Sequence, residues 1–122
     1  FNISHSEDMV FCVVGTENIG CDVQLITKCN MKIAERFFTK SEKDILISDE
    51  NRDELFFRLW TVKESILKCH GDGLSGGLST FDFSDCMYTD SFKRYGLNFK
   101  TFIKDKYAFS FCSKDSESCL YE

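Results

Sequence analysis

Three charged side chains, Lys63, Glu64 and Lys68, lie along one margin of an otherwise apolar stretch. On a helix that turns about 100° per residue, the apolar residues around them form one broad arc: Leu55, Phe56, Leu59, Trp60, Val62, Ile66 and Leu67. Lys63 falls inside this arc, whereas Glu64 lies at its edge. A buried charge is costly unless it is compensated, which favours a site for a metal or a phosphate. The alternative is a Lys63 that extends its amine to solvent, beside an ordinary Glu64–Lys68 pair.

Further oxygen ligands are expected around Asp22. Gly20 permits a close backbone approach, and the alternation of a strand places Asp22 and Gln24 on the same face. Together with Glu64 they supply hard oxygen donors, which suit Mg²⁺ completed by water and a substrate phosphate. A D-x-Q pattern is also typical of an Asp that caps a turn and a Gln that faces solvent, so the sequence leaves both interpretations open.

The composition predicts one globular domain over residues 1–122. Hydrophobic residues make up 43% of the 122 positions, with 13 Phe and no Pro, which is enough for a core. The seven Cys form no CxxC pair and there are only two His, so a zinc site is not expected. We interpret the cysteines as reduced residues of a cytoplasmic protein. We expect no signal peptide and no membrane span, because no apolar run approaches about 20 residues.

Residues 28–43 are basic within an acidic chain. The formal net charge is −5, yet this segment holds five basic residues against two acidic ones. Four of them recur every four positions, so a helix here presents a basic stripe that can dock an acidic partner: Lys28, Lys32, Arg36 and Lys40. The alternative is a solvated helix face. Nucleic acid is not expected as a partner, because the chain is acidic and no basic patch is interleaved with aromatic residues.

The order of elements predicts an α+β fold, with strands, then helices, then strands. Strands are predicted at 9–14, 20–26, 78–83, 97–104 and 107–113, with Asp105 and Lys106 as a hairpin turn. Helices are predicted at 31–38 and from Asn51 or Asp53 to Gly71. Thr39 or Ser41 is expected to cap the segment between these helices.

The segment 71–76 matches the pattern G-x-G-x-x-G. A dinucleotide-binding fingerprint needs a strand before the glycines and a helix after them. Here the long helix comes first, so a Rossmann-type site is excluded. We expect a helix cap and a loop at this position, which remains compatible with a nearby ligand.

Four motifs occur in a defined order: F-N-I-S-H-S at 1–6, I-G-C-D at 19–22, F-F-T-K-S-E at 37–42 and W-T-V-K-E-S-I-L-K at 60–68. In order and spacing they resemble the 4′-phosphopantetheinyl transferase superfamily, and most closely its surfactin-synthetase-activating (Sfp) type. The resemblance covers residues 1 to about 75, and the later strands match only in general character. It implies an α+β half-domain in which an antiparallel sheet packs against the long helix.

The resemblance also implies an activity and a set of site residues. The activity is Mg²⁺-dependent transfer of 4′-phosphopantetheine from coenzyme A to a serine of an acyl or peptidyl carrier protein. Asp22 and Glu64 match the metal-binding carboxylates, and Glu64 also matches the base toward the carrier serine. Gln24 stands where many members carry a third acidic ligand. Lys63 and Lys68 match lysines at the diphosphate of coenzyme A.

Two further sites follow from the same resemblance. Ser4 and His5 match positions that contact the 3′-phosphate region of coenzyme A, and the basic stripe matches the region that docks the carrier protein. Sfp-type enzymes have two similar halves, and this chain resembles the second. Residues 1–27 contain no Lys or Arg. We therefore expect further nucleotide ligands from an N-terminal half or from a second copy of the chain. The alternatives are a non-catalytic module that binds coenzyme A or a carrier protein, to which the neutral Gln24 points, and a plain interaction domain.

Overall fold

The long helix predicted from the apolar arc lies at the centre of the fold. The computed structural model describes residues 2–14, 19–70, 77–114 and 119–121. Its elements, in chain order, are β1 (Asn2–Ser6), β2 (Met9–Val14), β3 (Ile19–Leu25), α1 (Met31–Phe37), α2 (Lys40–Ser48), α3 (Arg52–His70), a 3₁₀ turn (Leu78–Thr80), β4 (Ser91–Arg94), β5 (Leu97–Lys104), β6 (Tyr107–Ser113) and β7 (Cys119–Tyr121). All strand pairs are antiparallel, so the predicted α+β class is confirmed.

The strands form two sheets. One has the order β3-β6-β5-β4 and the other the order β1-β2-β7. The main core lies where α3 packs against the four-stranded sheet, and it includes Phe56, Leu59 and Ile66 of the helix. A second, smaller core lies on the opposite side of β3 and β6, around Phe11 and Phe109. β3 is therefore an edge strand with one face toward α3 and the other toward the β1–β2 hairpin.

The two short helices meet at a sharp break in the chain. Asn30 caps α1 by accepting hydrogen bonds from the backbone N–H groups of the first turn. α1 ends at Phe37, because Phe38 adopts an extended conformation. Thr39 then caps α2 in a capping box, in which its side chain and that of Glu42 each bond the other's backbone N–H. The predicted cap at Thr39 is confirmed.

Most of the predicted elements are present, but one is wrong. Residues 78–83 form a 3₁₀ turn followed by irregular backbone, and not a strand. The hairpin turn at Asp105 and Lys106 is confirmed, with φ of +51° and +69° at the two residues. β1, β4 and β7 were not predicted, and α2 was anticipated only through its cap.

The glycine-rich segment 71–76 lies outside the described residues. Among the helices that are described, none has the length and apolarity needed to cross a membrane.

Gly20 sets the distance between β3 and α3. A Cβ atom at this position would lie 2.0 Å from the Ser65 carbonyl oxygen and 2.6 Å from the Cys69 backbone nitrogen. Both are backbone atoms of a helix and cannot rotate away, so a side chain here forces the helix off the strand. The close approach that the sequence predicted for Gly20 is confirmed.

Lys63 holds the other side of α3 to the rest of the molecule. Its side chain is fully buried, and its Nζ lies 2.7 Å from Oε1 of the equally buried Glu42. The same ammonium group donates hydrogen bonds to three backbone carbonyl oxygens, those of Phe37, Leu78 and Phe81. Burial lowers the pKa of Lys63, and the negative charge of Glu42 opposes that shift. Lys63 thus joins α3 to α2 through the ion pair, and to α1, the 3₁₀ turn and Phe81 through hydrogen bonds.

We predict that Gly20→Ala destabilises the protein more than Gly96→Ala. The added methyl group at position 20 collides with helix backbone, at a cost of about 3 kcal/mol in the free energy of unfolding. Gly96 has open space around it and a φ of +74°, so alanine there pays only for backbone strain, about 1 kcal/mol. Urea unfolding of both variants measures the difference. Equal losses would show that the strand and the helix do not need this close approach.

We predict that Lys63→Met costs about 3–5 kcal/mol in the free energy of unfolding, because Glu42 is then buried without its cation. Replacing both partners, as Lys63→Met with Glu42→Gln, should recover part of this loss, and the double-mutant cycle measures the coupling. Lys40→Met is a matched control, since Lys40 pairs with Asp44 at the surface. A Lys63→Met variant as stable as the control would contradict the structural role of the buried pair.

Candidate active site

The contact at Gly20 brings one turn of α3 alongside Asp22. Gly20, Asp22 and Gln24 alternate along β3, so all three face the helix. Glu64 and Lys68 are one turn apart on α3, on either side of the point where Gly20 meets Ser65. The strand therefore supplies Asp22 and Gln24, and the helix supplies Glu64 and Lys68. We call these four residues the acidic cluster.

Asp22 is at the centre of the acidic cluster and is only 3% exposed. Its Oδ1 accepts hydrogen bonds from Ser4 Oγ at 3.0 Å and from Lys68 Nζ at 3.3 Å. Its Oδ2 accepts one from Gln24 Nε2 at 3.1 Å. Burial raises the pKa of Asp22 even though Lys68 and the hydrogen-bond donors act in the opposite direction. Burial therefore outweighs the lysine and the hydrogen-bond donors in setting the pKa of this carboxyl.

Glu64 is half-buried beside Asp22. Desolvation raises the pKa of Glu64, the negative charge of Asp22 raises it further, and Lys68 lowers it. The two carboxylates are thus close enough to repel each other, and Lys68 is a cation that acts on both. A divalent cation would relieve this repulsion, and carboxylate oxygens are ligands that Mg²⁺ prefers.

Gln24 fits the position of a third, neutral ligand. Its Nε2 donates to Asp22 Oδ2, and a flipped amide would place two oxygen atoms in contact, so the assignment is fixed by chemistry. The amide oxygen is then the atom that can contact a cation. The described residues contain no group of three or more His, Cys, Asp and Glu side chains able to hold a metal. A metal here would therefore depend on two carboxylates and one amide.

Lys68 can reach toward a phosphate from the same cluster. Its side chain is 32% exposed, and only one hydrogen bond, to Asp22, is described for its ammonium group. An ammonium group has three hydrogen atoms to donate. Lys68 can therefore bridge the carboxylate and a phosphate oxygen without breaking the bond to Asp22.

The structure does not bring Lys63 into this site, which corrects the sequence-based interpretation. Lys63 is the only one of the three charged residues of the α3 margin that is fully buried. The physical reason is its ion pair with Glu42 and its bonds to three carbonyl oxygens, which occupy the ammonium group in the core. A phosphate-binding or catalytic role for Lys63 is not supported. We therefore assign Lys63 a structural role.

Ser4 and His5 do not share a site in this structure. They are neighbours on a strand and point to opposite faces, with Ser4 buried and His5 exposed. Ser4 Oγ accepts a hydrogen bond from the Val23 N–H at 3.1 Å and donates one to Asp22. The contact with coenzyme A that the resemblance implies for Ser4 stays a prediction. The contact expected for His5 stays a prediction.

The role of Glu42 was not predicted from the sequence. Two signals pointed to it. One is the pattern Thr39-x-x-Glu42, which predicts a capping box. The other is Lys63 inside an apolar arc, which requires a buried anion as its partner. The partner lies 21 positions earlier in the chain, and no local pattern connects the two.

The predicted basic stripe does not lie on one helix. Lys32 and Arg36 belong to α1, whereas Lys28 precedes α1 and Lys40 begins α2. The break at Phe38 interrupts the helical spacing, so the four positions form a basic region and not a continuous stripe. Within it, Arg36 lies over the Phe37 ring at 5.0 Å.

Comparisons with known proteins extend these observations. The family model for the 4′-phosphopantetheinyl transferase superfamily matches residues 18–118, a span that includes Asp22, Glu64 and Lys68. The transferase psf-1 of Bacillus pumilus is 42% identical over 83 residues, which cover 66% of this chain and 36% of that protein. The transferase Sfp of Bacillus subtilis is 41% identical over 83 residues, covering 66% and 37%. The chain thus spans about a third of the length of the curated relatives it matches.

A solved structure shows the same fold. The holo-[acyl-carrier-protein] synthase of Thermotoga maritima matches with a TM-score of 0.52 and 22% sequence identity, over 78% of this chain and 61% of that chain. The resemblance noted from the sequence motifs is confirmed by these matches. Since the family model covers most of its residues, including both carboxylates of the acidic cluster, this chain belongs to the 4′-phosphopantetheinyl transferase superfamily.

Proposed function

We propose that this chain contributes the metal-binding and phosphate-binding residues of a transferase that moves 4′-phosphopantetheine from coenzyme A to a serine of an acyl or peptidyl carrier protein. The observation that carries the proposal is the acidic cluster, in which two carboxylates with raised pKa values share a single lysine. The family supports the class of reaction, and the cluster supports its chemistry. The complete transfer reaction is a proposal, because the matched residues cover only 36% and 37% of the length of these two relatives.

The residues present fit a magnesium ion. Asp22, Glu64 and the amide oxygen of Gln24 would hold it, with water and a diphosphate oxygen completing the hard oxygen ligands. When bound, Mg²⁺ would neutralise charge on the diphosphate and align it for in-line displacement. The fit rests on the carboxylate pair, because Asp22 and Glu64 are close enough for the charge of Asp22 to raise the pKa of Glu64.

The side chains of the cluster provide the rest of the chemistry. In the transfer, the serine oxygen forms a bond to the phosphorus that carries pantetheine, and the bond from that phosphorus to the bridging oxygen breaks. The leaving group is adenosine 3′,5′-bisphosphate. Glu64 accepts the serine proton, directly or through one water, as a carboxylate beside the carrier serine can. Lys68 stabilises the negative charge that develops on the phosphate oxygens.

The partners follow from charge and exposure. We assign the basic region of Lys28, Lys32, Arg36 and Lys40 to the docking of a carrier protein, which is acidic in this family. His5 is exposed on β1 and is available to the nucleotide of coenzyme A. Further basic residues for that nucleotide come from an N-terminal half or from a second copy of the chain, since residues 1–27 contain neither Lys nor Arg.

A second candidate function is a non-catalytic module that binds coenzyme A or a carrier protein. The observation that favours it is Gln24, which holds Asp22 by a hydrogen bond but adds no negative charge for a metal. The two candidates differ in turnover: a module binds without transferring the phosphopantetheine group. The experiments below separate them.

We predict that Asp22→Asn and Glu64→Gln each lower phosphopantetheine transfer by about 100-fold or more, because a metal ligand or the base is lost. Mass spectrometry of an apo carrier protein, with and without Mg²⁺, measures the transfer. Glu54→Gln is a matched control, since Glu54 is also a half-buried Glu of α3 but bonds Asn51 outside the cluster. Unimpaired transfer by Glu64→Gln would refute the assignment.

If carrier docking is electrostatic, added salt should raise the KM for the carrier.

We predict that Gln24→Glu raises the affinity for Mg²⁺ by about 10-fold, because a third carboxylate adds charge at a short distance from the cation. Without metal, the same variant should unfold at a lower temperature, because its new charge repels Asp22. Calorimetric titration with Mg²⁺ and thermal unfolding measure the two effects. Gln24→Ala serves as the neutral control. An unchanged affinity in Gln24→Glu would place Gln24 away from the metal, and a gain of turnover from none would identify the natural chain as a binding module.

A further inference from the structure

Alternate side chains of β1 cover the free edge of β3. The backbone N–H of Cys21 donates to Asn2 Oδ1 at 3.0 Å, that of Val23 to Ser4 Oγ at 3.1 Å, and that of Leu25 to Ser6 Oγ at 3.0 Å. β3 pairs with β6 on its other side, so these are the N–H groups that the sheet leaves unpaired. The N-x-S-x-S pattern at 2–6 thus replaces a neighbouring backbone strand with side-chain acceptors. We call these three bonds the β1 ladder.

Ser4 differs from its two ladder neighbours because it also bonds the acidic cluster. Its hydroxyl donates to Asp22 Oδ1 at 3.0 Å, and Ser4 is only 5% exposed. A hydroxyl has one hydrogen atom, and an ionised carboxylate can only accept. The hydroxyl hydrogen of Ser4 is thus directed to Asp22, while the hydroxyl oxygen accepts from the Val23 N–H. One side chain therefore ties the strand edge to the carboxylate.

Among the described residues, the donors to Asp22 leave one part of the carboxylate available. Ser4 and Lys68 both donate to Oδ1, and Gln24 donates to Oδ2. A carboxylate offers about four lone-pair positions, two on each oxygen. With Oδ1 saturated, the remaining position lies on Oδ2. The orientation of the carboxylate therefore decides which oxygen faces a cation.

We propose that Ser4 is a positioning residue that fixes the Asp22 carboxylate with Oδ2 toward the metal. This inference rests on the proposed function, because it assigns Ser4 a part in metal binding. Hydrogen bonds to ligating carboxylates orient the ligands and tune their affinity, typically by 10- to 100-fold. Ser4 is suited to this role because its own position is fixed by the Val23 N–H and by burial.

Ser6 provides a matched control within the same ladder. Ser6→Ala removes a ladder bond of nearly the same length as the bond from Val23 to Ser4, on the same strand, and no bond from Ser6 to Asp22 is described. Ser4→Ala removes the ladder bond and the bond to Asp22 together. Ser4→Thr keeps a hydroxyl on a strand, where a β-branched residue is tolerated. The comparison therefore isolates the bond from Ser4 to Asp22.

The first measurement is Mn²⁺ binding to the purified protein, followed by electron paramagnetic resonance of the free ion. We expect about 10-fold weaker binding in Ser4→Ala, wild-type binding in Ser6→Ala, and recovery to within a few-fold in Ser4→Thr. Thermal unfolding of all four proteins shows how much of each effect is general destabilisation. Equal Mn²⁺ affinities for Ser4→Ala and Ser6→Ala would overturn the proposal.

A second measurement separates this inference from the proposed function. The ¹³C resonance of the Asp22 carboxylate, recorded without metal, should move in Ser4→Ala and stay in place in Ser6→Ala. If the wild-type protein binds no Mn²⁺ but the resonance moves as expected, the metal-dependent function fails while Ser4 still positions Asp22. If the resonance is the same in Ser4→Ala and the wild type, the positioning role is overturned whatever the metal result.

Discussion

The contact between the backbone of β3 and the backbone of α3 at Gly20 is the constraint on which the site depends. With no Cβ at this position, the Ser65 carbonyl and the Cys69 N–H approach the strand directly. Cys112, which pairs with Gly20 across β3 and β6, places its thiol 3.4 Å from the same Ser65 carbonyl oxygen. Strand residues two positions along from Gly20 then lie within hydrogen-bonding distance of the next helical turn. A wider spacing between β3 and α3 would separate Asp22 from Lys68, and the acidic cluster would not form.

Two adjacent residues of α3 lie in different environments, because the helix is packed on two sides. Lys63 points into the core, where Glu42 and three carbonyl oxygens compensate its charge. Glu64, one position later and about 100° further round the helix, lies close enough to Asp22 for that charge to raise its pKa. The buried pair fixes the rotation of α3 about its axis, and the contact at Gly20 fixes its distance from the sheet. Both are needed to bring Glu64 and Lys68 to Asp22.

The sequence predicted the elements and residues whose signals are local. Alternation along β3 placed Asp22 and Gln24 on one face, and the period of α3 placed Glu64 and Lys68 one turn apart, as the structure shows. The predicted strand at 78–83 failed for a nonlocal reason: Lys63 draws the carbonyl oxygens of Leu78 and Phe81 toward one point, which an extended strand cannot provide. The role of Ser4 could not be predicted from the sequence either. Side-chain oxygens of β1, and not its backbone, bond the β3 N–H groups, so there is no backbone pattern to recognise.

The neutral Gln24 can be understood from the charge of the whole site. Asp22, Glu64 and Lys68 together carry one net negative charge, so a bound divalent cation would leave the cluster with one net positive charge. A third carboxylate would hold the cation more tightly but would cancel that excess, and the diphosphate of coenzyme A would then meet a neutral site. It would also add a third negative charge to a metal-free cluster in which both carboxylates already have raised pKa values. In the proposed reaction, Gln24 therefore gives the site a lower affinity for the metal than a third carboxylate would. In return, the metal-bound site keeps a positive charge that attracts the phosphates.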